Sequence, residues 1–318
     1  MLSSPELVDT NIEHMVKIAI LHIISLGTKH GIFSLLAKGP TLQELIEGVN
    51  LPNRALLVKF VSTLKDLHIV EVKNGRLHLN GFSYILEVPP VKYNLLLPDW
   101  VSIQEEIYRM VDYAFITPTH PQILMDFDKD ADFWDMRMST SFSQAYRKVM
   151  VDVAGIKPGF SVLDIGCGSV SPEFFGKIVG YDGLYMGVDY SPALLEIARL
   201  RVEEKNLPVS LKEIDARLIR PVNEYDAVLM SFVLEYMPDR EKVLKNAFET
   251  LKPGGKLIIV EPFRDSFENI SALEFFESLN KDFTGFPSIS EIISIFENMD
   301  IEFKTKQFGK SILLLEKL

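Results

Sequence analysis

The chain has 318 residues, 47% of them hydrophobic, which permits two compact units with buried cores and excludes global disorder. Its formal net charge of -11, from 33 basic and 44 acidic residues, argues against nonspecific nucleic-acid binding, which depends on Lys and Arg neutralising phosphates. A single cysteine, Cys167, forbids an intrachain disulfide and suits a reducing, cytoplasmic setting.

The apolar run over 18–26 contains His22 and is far shorter than the ~20 apolar residues that span a bilayer, so a buried helix is expected rather than a membrane or secretory segment. Gly39-Pro40 ends this first helical region. Thr41 and Glu44 have the spacing of a capping box, and Leu42, Leu45, Ile46 and Val49 follow on one helical face. Asn53 caps a further predicted helix. Two short alternating runs, 69–72 and 77–79, then flank Asn74-Gly75, a strong hairpin signal because both turn positions tolerate positive φ. Helix, helix, helix, hairpin is the order of a winged helix. A DNA-binding role would use Arg54, Lys59, Lys65, Lys73 and Arg76. The acidic total and the lack of a basic cluster favour a protein-interaction module instead.

Residues 99–152 read as mostly helical, broken near Thr117-Pro118 and His120-Pro121, and rich in large side chains such as Trp100, Trp134, Phe142 and Tyr146. Most of these serve packing, but a subset can line an apolar substrate pocket. From Gly155 the pattern changes to alternation. Short apolar runs at 161–165, 184–189, 209–214, 225–230 and 256–260 are separated by predicted helices, one of which opens with Ser191-Pro192. This predicts a mostly parallel sheet covered on both faces. Ser288 and Glu291 mark another capped helix. The last two runs, 301–305 and 312–315, are joined by a turn too short for a parallel crossover, so one of them is expected to be antiparallel.

Ligands of doubly wound sheets bind beyond the carboxyl ends of the strands. The loop Gly166-Cys167-Gly168 lies there, and glycines let backbone approach a ligand closely. As a dinucleotide fingerprint it fails at Ser171, where the third glycine belongs, and Asp164 puts negative charge beside a pyrophosphate site. That acid instead suits a ligand carrying an ammonium and a sulfonium. Asp189 ends the second strand, where a carboxylate can accept both ribose hydroxyls. Asp215 follows the third and could receive an adenine amino group, directly or through the Ala216 amide.

With these residues, the segment from about 155 to 318 resembles a class I S-adenosylmethionine-dependent methyltransferase. The resemblance rests on Leu163-Asp164-Ile165-Gly166-Cys167-Gly168, Gly187-Val188-Asp189-Tyr190-Ser191, Asp215-Ala216, Tyr225-Asp226-Ala227-Val228 and Leu251-Lys252-Pro253-Gly254-Gly255. The N-terminal part, with Gly31-Ile32-Phe33-Ser34-Leu35-Leu36 and Thr41-Leu42-Gln43-Glu44-Leu45, is similar to the dimerisation domain of small-molecule O-methyltransferases. The resemblance implies a Rossmann-like seven-stranded sheet with one antiparallel strand, behind an N-terminal winged-helix domain. It implies a winged-helix dimerisation domain at 1–95, a helical connector and substrate lid at 96–152, and a donor-binding domain at 153–318. It also implies S-adenosylmethionine as methyl donor, S-adenosylhomocysteine as product, a small-molecule acceptor, a homodimer, and neither metal, nucleic acid nor membrane.

By the same resemblance the donor contacts are Asp164, Gly166, Cys167, Gly168, Asp189, Tyr190, Asp215, Ala216, Ser231 and Phe232, and the pocket residues are Trp134, Phe142 and Tyr146. Two positions depart from the pattern. Val170 replaces a third loop glycine, and Glu235 stands where plant-type relatives place a histidine base. Glu235 is thus the candidate base, with His120 and Tyr146 behind it, although other methyltransferases carry a glutamate at this place in a structural role. The acceptor atom stays open between oxygen, nitrogen and carbon. A donor-sensing regulator is a further alternative, and a nicotinamide dehydrogenase is disfavoured by Ser171 and Asp164.

Overall fold

The structure, a computed structural model, describes residues 4–83, 95–118, 126–299 and 301–318. The N-terminal part opens with a long helix, α1 (Pro5–Lys29), then α2 (Ile32–Leu36), α3 (Leu42–Val49) and α4 (Arg54–Asp66). Both halves of the expected capping box form: Glu44 N donates to Thr41 Oγ1 at 3.2 Å, and Thr41 N to Glu44 Oε2 at 2.8 Å. Asn53 Oδ1 accepts from Leu56 N at 3.0 Å and starts α4. Strands β1 (Val70–Lys73) and β2 (Arg76–Leu79) pair antiparallel about Asn74 and Gly75, whose φ values of 52° and 75° are those of a tight hairpin turn. The connector supplies α5 (Pro98–Ile116), α6 (Ala131–Met138) and α7 (Ser141–Ala154).

The rest of the chain winds about a seven-stranded sheet. Its strands are β3 (Ser161–Ile165), β4 (Leu184–Asp189), β5 (Val209–Glu213), β6 (Tyr225–Ser231), β7 (Leu251–Val260), β8 (Phe303–Phe308) and β9 (Ile312–Lys317). They lie in the order β5-β4-β3-β6-β7-β9-β8, and β9 runs against both its neighbours, so the single reversed strand falls in the late pair. The helices are α8 (Ser171–Val179), α9 (Pro192–Glu204), α10 (Arg240–Glu249), α11 (Ser271–Glu277) and α12 (Ile289–Glu297).

Alternation along the strands divides two cores. Ala227, Leu229, Ile258, Val260, Ile312 and Leu314 face one side, with residues of α1, α7 and α8. Val228, Met230, Leu257, Ile259, Leu313 and Leu315 face the other, with α10 and α12. Burial on both faces is what a largely parallel sheet requires. Strand β7 starts earlier than the apolar run suggests. Leu251 already pairs with Tyr225, and a register shift between Tyr225 and Ala227 takes up the intervening turn, where Gly254 has φ 77°.

Helix α1 is shared between the parts. It packs on α7 and α11, and its buried Asp9 accepts from Lys310 N at 2.8 Å and Ser311 Oγ at 2.6 Å in the turn between β8 and β9. That turn approaches so closely that a Cβ on Gly309 would sit 2.1 Å from Asp9 Oδ2. Among the described residues no helix is long and apolar enough to cross a membrane.

Candidate active site

The carboxyl ends of β3 to β6 open into a cavity of about 350 Å³. Its floor is the loop after β3, where Gly166 and Gly168 take φ values of 69° and 56°. A Cβ on Gly166 would lie 2.2 Å from Val233, and one on Gly168 would lie 2.3 Å from the sulfur of Met138. The amides of Gly166 and Cys167 donate to Val188 O at 2.8 and 3.1 Å, tying the loop to β4. Glycine is therefore required here for both its backbone freedom and its missing side chain.

At the end of β4, Asp189 accepts from Gly168 N at 2.8 Å and from Ser191 N at 3.0 Å. Burial raises its pKa, while these amides oppose the shift. Asp215 and Ala216 line the cavity beyond β5, and Arg217 both hydrogen-bonds Asp215 and holds its pKa below the ordinary value. Tyr190 also lines it, about half exposed, and donates to Asp282 Oδ2 at 2.8 Å.

Asp164 departs from the expected arrangement. It is 2% exposed and absent from the cavity lining. Strand alternation turns its side chain the same way as Val162, where Oδ2 accepts the Tyr185 phenol at 2.6 Å. Desolvation lifts its pKa to about 7 against that bond and the nearby Arg147 guanidinium. Through the Tyr185 bond it anchors β3 to β4 beneath the loop.

Ser231 ends β6 and Phe232 follows it. Phe232 has φ 51°, a left-handed backbone that is strained for an aromatic residue. Its amide still bonds Val260 O at 2.9 Å, and its ring meets Tyr146 at 4.9 Å and Phe142 at 5.7 Å. These three rings, with Trp100, Trp134 and Met15, make an apolar wall. Trp134 stacks near Phe127, with centroids 4.5 Å apart, and carries the Arg137 guanidinium 5.3 Å from its ring.

Glu235 lines the cavity in the short turn after β6, but it is 3% exposed and lies close to the Glu261 carboxyl. Glu261 Oε1 already takes the amides of Val233 and Leu234, both at 2.9 Å. Burial and the Glu261 charge push the Glu235 pKa well above the ordinary range, which disfavours its ionised form. His120 lies outside the described residues.

Several site residues escaped the sequence reading. Arg137 on α6 forms two hydrogen bonds with Glu277 at the end of α11, and Tyr236 donates to Glu277 Oε2 at 3.2 Å. Asp135, also on α6, accepts Ser169 Oγ at 2.6 Å and pairs with Arg201 of α9. Helix α6 thus touches the glycine loop and the aromatic wall together. Glu261, which was also missed, had a readable signal as a further acid at a strand end. The others meet across long stretches of chain.

Known proteins agree with this arrangement. A model described as a methyltransferase domain matches residues 163–259, from β3 into β7. The uncharacterised protein MJ0906 of Methanocaldococcus jannaschii is 32% identical over 318 residues, covering 98% of this chain and 87% of that protein. The ubiquinone/menaquinone biosynthesis C-methyltransferase UbiE of Haemophilus ducreyi is 30% identical over 154 residues, 47% of this chain and 59% of UbiE. This chain therefore spans less than two thirds of the UbiE relative. Among solved structures, the DszA carbon methyltransferase shares the fold with a TM-score of 0.65 at 13% identity, covering 98% of this chain and 90% of that one. An O-methyltransferase family protein from Burkholderia thailandensis does so with a TM-score of 0.51 at 16% identity, over 94% and 93%.

The methyltransferase-domain match and the seven-stranded fold mark an S-adenosylmethionine-dependent methyltransferase of class I. Within that class, the chain belongs to the same family as MJ0906.

Proposed function

We propose that the enzyme transfers the methyl group of S-adenosylmethionine to a hydroxyl oxygen of a small, largely apolar acceptor. The donor is assigned across the strand ends, with adenine at Asp215 and Ala216, ribose at Asp189, and the methionine part over the loop from Gly166 to Gly168. When bound, it supplies an activated methyl group whose sulfur is neutral after transfer. The protein's part is then mostly positioning, since holding reactants in line removes much of the entropic barrier. The observation that carries the acceptor class is the wall of Met15, Trp100, Trp134, Phe142, Tyr146 and Phe232 beside the donor cradle, suited to an apolar ring.

Carbon methylation is the second reading. It is favoured by UbiE, named a C-methyltransferase, and by the carbon methyltransferase that shares the fold along nearly the whole chain. Mass spectrometry of products formed from methyl-labelled donor and a panel of phenols, enols and amines tests both. An O-methyl product is expected. A C-methyl product from the same panel replaces the first reading with the second. Failure of S-adenosylhomocysteine to bind in calorimetry overturns the assigned donor site itself.

A further inference from the structure

An acceptor hydroxyl of ordinary acidity needs a proton acceptor beside it. Among the described residues, the carboxyls lining the cavity are Asp189, Asp215, Glu235, Glu277 and Asp282. The first two belong to the donor end, Asp282 is engaged by the half-exposed Tyr190, and Glu235 is buried beside Glu261 with its ionised form disfavoured. Glu277 stands apart. It is 2% exposed and lies on the aromatic side of the cavity, fixed by Arg137 through two bonds and by the Tyr236 hydroxyl at 3.2 Å. The Tyr236 ring is held by Phe127, Trp134 and Phe283, with centroids 5.0, 6.0 and 6.0 Å away.

We propose that Tyr236 is a catalytic residue that takes the proton of a phenolic or enolic acceptor hydroxyl while passing its own proton to Glu277, with Arg137 as the positioning residue that holds Glu277 in place. This rests on the oxygen-methylation reading above and narrows the acceptor to phenols and enols. A phenol is suited to such a relay because it donates and accepts at one oxygen.

The acceptor O–H bond breaks, and its proton goes to the Tyr236 oxygen. The Tyr236 O–H bond breaks in turn, and that proton goes to Glu277. The electron pair left on the acceptor oxygen forms the bond to the methyl carbon, and the carbon–sulfur pair stays on sulfur. The positive charge lost at sulfur reappears on Arg137, now without a charged partner. The Arg137 side chain is 18% exposed and so remains in contact with solvent.

The groups facing this cluster are Arg137 from α6, Tyr108 from α5, Glu277 from α11 and Glu235 beside Tyr236. Burial and the Glu277 charge raise the Tyr236 pKa well above the ordinary value, which keeps it a neutral relay rather than a standing phenolate.

The test uses the full chain saturated with S-adenosylhomocysteine, with para-nitrophenol as probe and its visible phenolate band as readout. Below the probe's own ionisation midpoint, the wild type is expected to hold about tenfold more phenolate than free solution, one pKa unit. Tyr236→Phe, which removes one oxygen and keeps the ring, should abolish that excess without changing S-adenosylhomocysteine affinity. Glu235→Gln should retain it. No excess in the wild type, or an equal excess in Tyr236→Phe, overturns the proposal. Loss in Glu235→Gln with Tyr236→Phe intact also overturns it and returns the base to Glu235. Calorimetry in the same samples separates these results from failure of the donor site, and product analysis separates them from carbon methylation.

Discussion

Gly168 combines a left-handed backbone with the Met138 sulfur where a Cβ would stand. Gly168→Ala is expected to weaken S-adenosylhomocysteine binding about five- to thirtyfold in calorimetry, since the left-handed backbone alone costs an L-residue ~1–2 kcal/mol. Adding Met138→Ala should restore only the steric share. Asp164 makes a prediction about pH. Its folded pKa of about 7 lies above the ordinary value of 3.8, so the native state binds the extra proton and stability falls as pH rises between these values. Denaturant midpoints should show Asp164→Asn with a shallower decline over that window, and equal slopes would contradict the assignment. Asp189 and Asp215 were legible because a strand's end is visible in sequence. The direction of Asp164 was not, because it depends on which face of β3 the buried core selects. The Arg137–Glu277 pair was illegible for another reason: 140 positions separate its members, and only packing brings them together.

Elements with local causes could be read directly. Both capping boxes and the Asn74-Gly75 hairpin formed as expected, because their hydrogen bonds close within a few residues. The early start of β7 could not be read, since a register shift against β6 creates it. Neither could the placement of α6. Its Asp135 grips Ser169 and Arg201, while Trp134 and Arg137 face the acceptor wall. Asp135→Asn is expected to weaken S-adenosylhomocysteine binding several-fold with little change in melting temperature, because the pair with Arg201 is partly exposed and such pairs contribute about 0–1 kcal/mol to stability. A large melting shift with unchanged affinity would give Asp135 a purely structural role.

At the scale of the molecule, the alternating pattern announced the mixed sheet and its reversed late strand. It gave no hint that α1 clasps the turn between β8 and β9. Asp9→Ala should lower stability by about 2 kcal/mol, the range for hydrogen bonds to a buried charge, as a fall in denaturant midpoint with unchanged slope. The N-terminal helices and hairpin are proposed to build a homodimer, and light scattering on the full chain should return twice 36.1 kDa. Helix α6 bears on how an acceptor should be sought. Because α6 contacts both ligands' sites, any coupling carried through it is reciprocal: if one ligand changes the affinity of the other, the reverse effect is the same factor. A compound library screened with S-adenosylhomocysteine present is expected to yield more and tighter hits than the same library on bare protein, and equal hit lists would show that α6 carries no such coupling.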